Sequence, residues 1–169
     1  STGQVATVTL TPGQTLTLTS PMSIAQGTNS TGTFIQTAGG VVSPGLNVGF
    51  GTNSQGVYQQ NGGLATLSGN VSLGNSTGEG HWLIRGGTST EVDELIVRRS
   101  ATATGVLRGY GGITASGDNT LQNSGQIIAD GMGSDNTLAI SGFLAVDDPT
   151  STAAQGNSFR NGTPGYYAV

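Results

Sequence analysis

Residues 32–79 hold two consecutive stretches, GTFIQTAGGVVSPGLNVGFGTNSQ and GVYQQNGGLATLSGNVSLGNSTGE, that can be laid over each other without a gap. Each is 24 residues long, opens with a glycine and has a Gly-Gly pair near its seventh residue. Two further stretches follow the same plan, GHWLIRGGTSTEVDELIVRRSATAT at residues 80–104 and GVLRGYGGITASGDNTLQNSG at residues 105–125. The opening glycines, Gly32, Gly56, Gly80 and Gly105, therefore mark a repeat of 24 to 25 residues.

Short runs rich in Thr, Val, Ile and Leu lie between the glycines, and the apolar runs at residues 46–48, 71–73 and 95–97 recur at the repeat length. Such runs, bounded by Gly, Asn, Ser and Pro, predict strands. A unit this short cannot close its own core, whereas stacked units bury a continuous one with coils ~4.8 Å apart. The sequence predicts an all-β parallel β-helix, or β-solenoid, with coils of about 24 residues. We expect it to be right-handed, by analogy with parallel crossover connections.

The repeat weakens toward both ends of the chain. Before Gly32 we predict strands at residues 5–10 and 15–18 around a turn at Pro12-Gly13, and residues 22–24 lie 24 positions before residues 46–48. Toward the other end, residues 118–130 match residues 135–147 with a shift of 17, which predicts shorter coils there. We therefore predict a solenoid domain over residues 1–147 and an irregular tail or cap over residues 148–169.

The composition excludes several classes of function. The chain has no Cys, so neither disulfides nor thiolate metal sites are available, and its five cationic residues are all Arg, which excludes lysine Schiff-base chemistry. The net charge is −4 and the few arginines form no basic stripe, so we predict no nucleic-acid binding. No run approaches the ~20 apolar residues of a membrane helix, so we predict no membrane span.

The units GTFIQTAGG…LNVGFGTNSQ and GVYQQNGG…VSLGNSTGE resemble the repeats of large bacterial extracellular proteins of the autotransporter-associated and PEP-CTERM-linked type. Residues 124–131 and 165–169 are similar to the C-terminal part of such solenoids. The resemblance implies an exported protein of the cell surface or matrix, and it brings no catalytic residues to carry over.

The third residue of each unit is Phe34, Tyr58, Trp82 and Leu107 in turn, which predicts a ladder of stacked side chains. The ladder is either part of the core, in offset stacks, or an exposed aromatic strip that contacts sugar rings. The alternation of residues within these strands does not decide which side faces inward.

Charge is concentrated in a short part of the chain, since 8 of the 14 charged residues lie within residues 79–108. On a solenoid this predicts one charged belt around an otherwise neutral body. The belt is either a solvated, partly self-paired surface or a lateral contact with another subunit. The candidates for that contact are Arg85, Glu91, Arg98, Arg99 and Arg108.

Asp93 and Asp118 each lie thirteen residues after the opening glycine of their unit, so we expect them ~5 Å apart on adjacent coils. Two carboxylates that close could bind Ca²⁺ or act as an acid pair in glycoside hydrolysis. The 17-residue match pairs Asp118 with Asp135 and Asp130 with Asp147 in the same way. The sequence holds no loop long enough to wall a catalytic cleft, so we expect no catalysis and, unless Ca²⁺ binds, no cofactor.

The N-terminal strands carry no charged residue, and uncharged open strand edges template further pairing. We therefore expect a non-catalytic extracellular protein, structural or adhesive, that forms a homo-oligomer by end-to-end or lateral stacking into a filament or fibre. The same edges would also allow the solenoid to continue into more repeats of a longer chain. One alternative is a carbohydrate-binding module that contacts polysaccharide through the aromatic row or the charged belt. The other is a polysaccharide-degrading β-helix enzyme.

Overall fold

The computed structural model describes residues 5–75, 77–99, 102–129, 137–147, 158–161 and 166–168 of the chain. The named elements in this part are all β-strands, and they pair in parallel. The pairing repeats at the length seen in the sequence, with Gly32 beside Gly56 and Gly56 beside Gly80. The predicted β-solenoid with coils of about 24 residues is therefore confirmed, and it makes about 5 turns.

Each of the first three coils contributes three separate strands, one to each of three faces. The first coil has β1 (Val5–Leu10), β2 (Thr15–Thr17) and β3 (Met22–Ile24); the second has β4 (Thr31–Gln36), β5 (Gly40–Ser43) and β6 (Leu46–Val48); the third has β7 (Gln55–Gln60), β8 (Leu64–Leu67) and β9 (Val71–Leu73).

In the later coils longer strands run around the corners and take part in more than one face. These strands are β10 (Glu79–Val97), β11 (Val106–Asn123), β12 (Gln126–Ala129), β13 (Thr137–Asp147), β14 (Ser158–Asn161) and β15 (Tyr166–Ala168). The first face has the order β1-β4-β7-β10-β11-β12-β14, the second β2-β5-β8-β10-β11-β13-β15, and the third β3-β6-β9-β10-β11-β13.

The core is a set of columns in which one residue from each coil lies above the next. In β4 and β7 every second residue is buried, because successive side chains of a strand point to opposite sides. On the third face the columns are aliphatic, and each fully buried side chain of this kind contributes about 1.5–3 kcal/mol. One column is Met22, Leu46, Val71, Leu95 and Leu121, and its neighbour begins Ile24, Val48, Leu73 and Val97.

The opening glycines are required by space. A Cβ on Gly56 would lie 2.4 Å from the backbone nitrogen of Gly49, and one on Gly80 would lie 2.1 Å from the carbonyl oxygen of Val48. The turn that follows the first face has a different requirement, since Gly39 and Gly63 have φ of 76° and 79°. Left-handed backbone of this kind favours glycine. Both glycine positions of the repeat thus have a physical cause.

The 17-residue match near the end of the repeat does not define a coil, so the prediction of coils of that length is wrong. Leu138 pairs with Gly111 on the second face, whereas Leu121 pairs with Val146 on the third. The first face also departs from 24 residues here, because Val106 pairs with Gln126. The two segments share a strand pattern, but the positions that the match aligns, such as Leu121 and Leu138, lie on different faces.

Two segments of the predicted tail are strands that continue the stack. β14 pairs with β12 and β15 pairs with β13, both in parallel. Strand pairing therefore extends beyond the predicted domain end at residue 147.

We predict that Gly80→Ala destabilises the protein by about 1–3 kcal/mol, because the added methyl group overlaps the backbone of the neighbouring coil. Gly27→Ala is the control: a Cβ at Gly27 meets only Ser30, at 3.6 Å. We expect that control to be neutral or slightly stabilising. Urea unfolding of both variants measures the difference, and equal stabilities would contradict the steric explanation.

Candidate functional site

The aromatic ladder lies inside the solenoid. Backbone pairing places Phe34, Tyr58, Trp82 and Leu107 in one column. The ring centroids of Phe34 and Tyr58 are 5.6 Å apart at an interplanar angle of 63°, and those of Tyr58 and Trp82 are 5.5 Å apart at 19°. Phe34 is 5% exposed and the other three are 0% exposed. The prediction that the ladder is part of the core is confirmed. The prediction that Phe34, Tyr58 and Trp82 contact a glycan is wrong. Every second residue of these strands faces the core, and the rings lie on the same side of the strand as the buried Gly32 and Gly56.

The polar atoms of Tyr58 and Trp82 in this column differ in their hydrogen bonding. The Tyr58 hydroxyl donates a hydrogen bond to Oε1 of the buried Gln36. Burial raises the pKa of the Tyr58 phenol, so this side chain stays neutral. Trp82 Nε1 is buried and has no hydrogen-bond acceptor among the residues that the structure describes.

Two buried glutamines tie one coil to the next, and sequence reasoning missed them. Gln36 Nε2 donates to the carbonyl oxygens of Gly39 and Leu64, at 3.1 and 3.2 Å. Gln60 Nε2 donates to the carbonyl oxygen of Thr88 at 2.8 Å. Both glutamines are 0% exposed and therefore need these partners. Their 24-residue spacing, shortly before each Gly-Gly pair, is the sequence signal that could have found them.

The five residues predicted for a lateral contact are all exposed. They encircle the solenoid and do not form one patch. Arg85 and Glu91 lie at the two ends of the second-face segment of β10, and Glu91 has a φ of 63°. Arg108 pairs with Leu83 on the first face, while Arg98 and Arg99 follow the third face. The belt is thus present, and its contact with another subunit stays a prediction.

The predicted acid pair falls at an irregularity in the strand register. Val92 pairs with Ala115 and Glu94 with Thr120, so residues 116–119 bulge opposite Asp93. Asp93 is exposed and accepts a hydrogen bond from Ser116 Oγ at 3.0 Å. Asp118 is one of these bulged residues, so the register gives Asp93 no single backbone partner, and the Ca²⁺ site predicted at Asp93 and Asp118 stays a prediction.

The other acidic residues of this prediction lie largely outside the described part of the chain, which excludes Asp130, Asp135 and the side chain of Asp118. The backbone of Asp147 pairs with Gln122, not with the partner that the 17-residue match predicted. Among the described residues no group of three or more His, Asp or Glu is arranged to hold a metal ion.

Within the described residues, no further coil covers the core at the end formed by β1, β2 and β3. Val8 occupies the column of Phe34 and Tyr58, yet it is 54% exposed. The end forms a cavity of about 630 Å³, and β1, β2 and β3 each pair on one side only within the described chain. The apolar side chains that line the cavity are Val8, Leu16, Leu18, Met22, Ile24 and Phe34.

Comparison of the chain with family models, curated proteins and solved structures finds no match. The resemblance to autotransporter-associated and PEP-CTERM-linked repeats therefore stays a prediction. In the described residues no helix is long and apolar enough to cross a membrane.

We predict that Tyr58→Phe costs about 1–3 kcal/mol, because it leaves the buried Oε1 of Gln36 without its phenol donor. Tyr110→Phe is the matched control, since Tyr110 is half-buried and lies outside the ring column. Urea titrations that give the two variants the same midpoint would contradict this account of the Tyr58 hydroxyl.

We also predict that His81 makes the protein less stable in mild acid. Burial lowers the pKa of His81, and the nearby Glu79 carboxylate opposes that shift only in part. The unfolded chain then binds a proton more readily than the folded one, so stability is present above about pH 6.5 and falls as the pH drops below it. Unfolding at about pH 7.5 and about pH 5 should show a smaller loss for His81→Asn than for the native chain. An equal loss would show that other groups cause the pH dependence.

Proposed function

We propose that this chain is a non-catalytic, extracellular structural protein whose coils stack end to end into filaments. The observation that carries the proposal is the exposure of Val8 at a position that belongs to the core. The corresponding residues of the next coils are 5% and 0% exposed, against 54% for Val8. A further coil placed on this end would bury that column.

Backbone hydrogen bonding favours the same contact. β1, β2 and β3 present one unpaired edge each, in the described chain, and such edges pair with any strand of matching register. A coil added there would satisfy all three edges together. It would also cover the apolar cavity, where burying one large aliphatic side chain contributes about 1.5–3 kcal/mol.

The opposite end of the solenoid offers strands in a matching register. β14 places Phe159 beside Ile127, and Ile127 pairs with Leu107, the last member of the ladder. A second copy with its β14 beside β1 would bring position 159 next to Val8. The backbone pairing of the first face would then continue from one subunit into the next.

The charge distribution also supports an extended, long-lived assembly. Residues 1–78 contain no charged residue, so no like-charge repulsion opposes contact at the N-terminal end. The same stretch contains no Lys or Arg and so offers trypsin no cleavage site. Low charge repulsion between subunits and resistance to trypsin both suit a protein assembly that is exposed outside the cell. These two properties support the extracellular part of the proposal.

We expect the native chain to form elongated particles in electron micrographs and Val8→Glu to stay monomeric in sedimentation experiments. The charge would be buried and unpaired in the stacked state, whereas in the monomer position 8 is exposed and the substitution should change stability by less than about 0.5 kcal/mol. Thr52→Glu adds the same charge at an exposed corner of the second coil and should still assemble.

Native chains that remain monodisperse monomers at high concentration would overturn the proposal. Assembly of Val8→Glu to the same extent as the native chain would show that the open end is not the contact.

A further inference from the structure

We infer that the outer surface of the second face pairs laterally with the same surface of another copy of this chain. The contact is distinct from the open end and would form between solenoids that lie side by side. We call this surface the uncharged face. Its central column is Thr15, Gly40, Leu64, Thr88, Gly112 and Ala139, and the column beside it begins Thr17, Val42, Thr66 and Thr90.

The face is apolar for a solvent-facing surface. None of the residues in the two columns is charged. Val42 is 40% exposed and Leu64 is 45% exposed, and both lie at its centre. Besides these two, the exposed large apolar side chains of the described residues are Val8, at the open end, and Phe50, at a corner. Clustered exposure of this kind marks contact surfaces more often than isolated apolar residues do.

The shape of the face suits a copy of itself. The column of Thr17, Val42, Thr66 and Thr90 lies two residues after the central column, while the residues at the corner two positions before it are small: Gly13, Ala38, Gly62 and Gly86. If a two-fold axis parallel to the solenoid axis relates two copies, coils at the same level face each other. The side of the face that follows the central column in one copy then lies opposite the side that precedes it in the other. This arrangement therefore sets larger side chains against small ones, which is the self-complementarity that an isologous contact needs.

The charges at the border of the face point to the same arrangement. Arg85 lies three residues before Thr88, and Glu91 lies three residues after it, both exposed. The same two-fold axis brings Arg85 of one copy toward Glu91 of the other, and the reverse, so two opposite-charge pairs flank an apolar centre. Of the charged residues predicted for a lateral contact, the geometry selects these two.

The size of the contact indicates a weak, reversible association. Six or seven residues along the strand and six coils along the axis give a footprint of about 500 Å², at ~3.3 Å per residue and ~4.8 Å between coils. A stable dimer of ordinary size buries about 800 Å² on each partner. Pairing between single subunits is therefore weak, and it would be reinforced wherever subunits are already held in a row.

The test uses Val8→Glu as the parent, so that end-to-end assembly does not interfere and the outcome is independent of the proposed function. Sedimentation equilibrium at protein concentrations up to about 1 mM should show a monomer–dimer equilibrium. This range is high enough to detect a dissociation constant in the weak, millimolar range. Arg85→Glu and Glu91→Arg should each weaken dimerisation by about tenfold or more, because each sets like charges against one another. The double variant Arg85→Glu/Glu91→Arg restores opposite pairs and should recover the parent constant to within about threefold.

Two further variants separate a specific contact from a general effect of charge. Arg98→Glu reverses a charge outside the uncharged face and should leave dimerisation unchanged. Thr66→Lys places a charge near its centre and should abolish dimerisation. A parent that is monomeric throughout, a double variant as weak as the single ones, or a Thr66→Lys variant that dimerises like the parent would each overturn the inference. Binding of the parent to an uncharged polysaccharide surface without self-association would overturn it as well.

Discussion

Parallel hydrogen bonding between the backbones of successive coils is the constraint on which the rest of this protein depends. The backbone nitrogen of Gln55 donates to the carbonyl oxygen of Ser30, and that of Glu79 donates to the carbonyl oxygen of Ser54, at 2.9 and 2.8 Å. These bonds fix which residue lies above which, because a slip of one residue would exchange inward and outward side chains along the whole strand. The columns of the core follow directly from this register.

The close approach of coils explains residues that a generic hydrophobic core would not require. Gly56 and Gly80 lie where neighbouring backbone leaves no room for a Cβ. Gln36 and Gln60 are polar and fully buried, and they are tolerated because their amide groups bind carbonyl oxygens at the turns. By contrast, the outward column of Thr33, Val57 and His81 differs in chemistry from one coil to the next, because these half-buried side chains do not have to match the packing inside the core.

The pairing that builds the solenoid also determines where it can meet other molecules. Among the described residues β1, β2 and β3 pair on one side only, so the end that they form offers backbone edges and apolar columns. Along the sides the backbone is satisfied, and a face offers only its outward side chains. End contacts and side contacts therefore have different chemistry, and a substitution in one should leave the other intact.

The sequence by itself determined the repeat length, the all-β class and which residues of the ladder and of the apolar runs stack above one another. Pairing between coils depends on one number, the residue spacing, and that number is visible in the positions of Gly32, Gly56 and Gly80. The sequence also located the charged belt and the uncharged N-terminal strands, since both are properties of composition along the chain.

Only the tertiary structure decided which way the aromatic ladder faces, because alternation in Phe34, Ile35 and Gln36 allows either side to be the core. The structure also separated Leu121 from Leu138, which the sequence match had aligned, since closing a coil depends on corner lengths that a strand pattern does not encode. The structure also revealed a bulge at residues 116–119 opposite Asp93, an irregularity of strand pairing that residue spacing alone does not show. Spacing along a chain predicts contacts where every coil has the same path, and the path itself is fixed by how corners, bulges and buried amides pack in three dimensions.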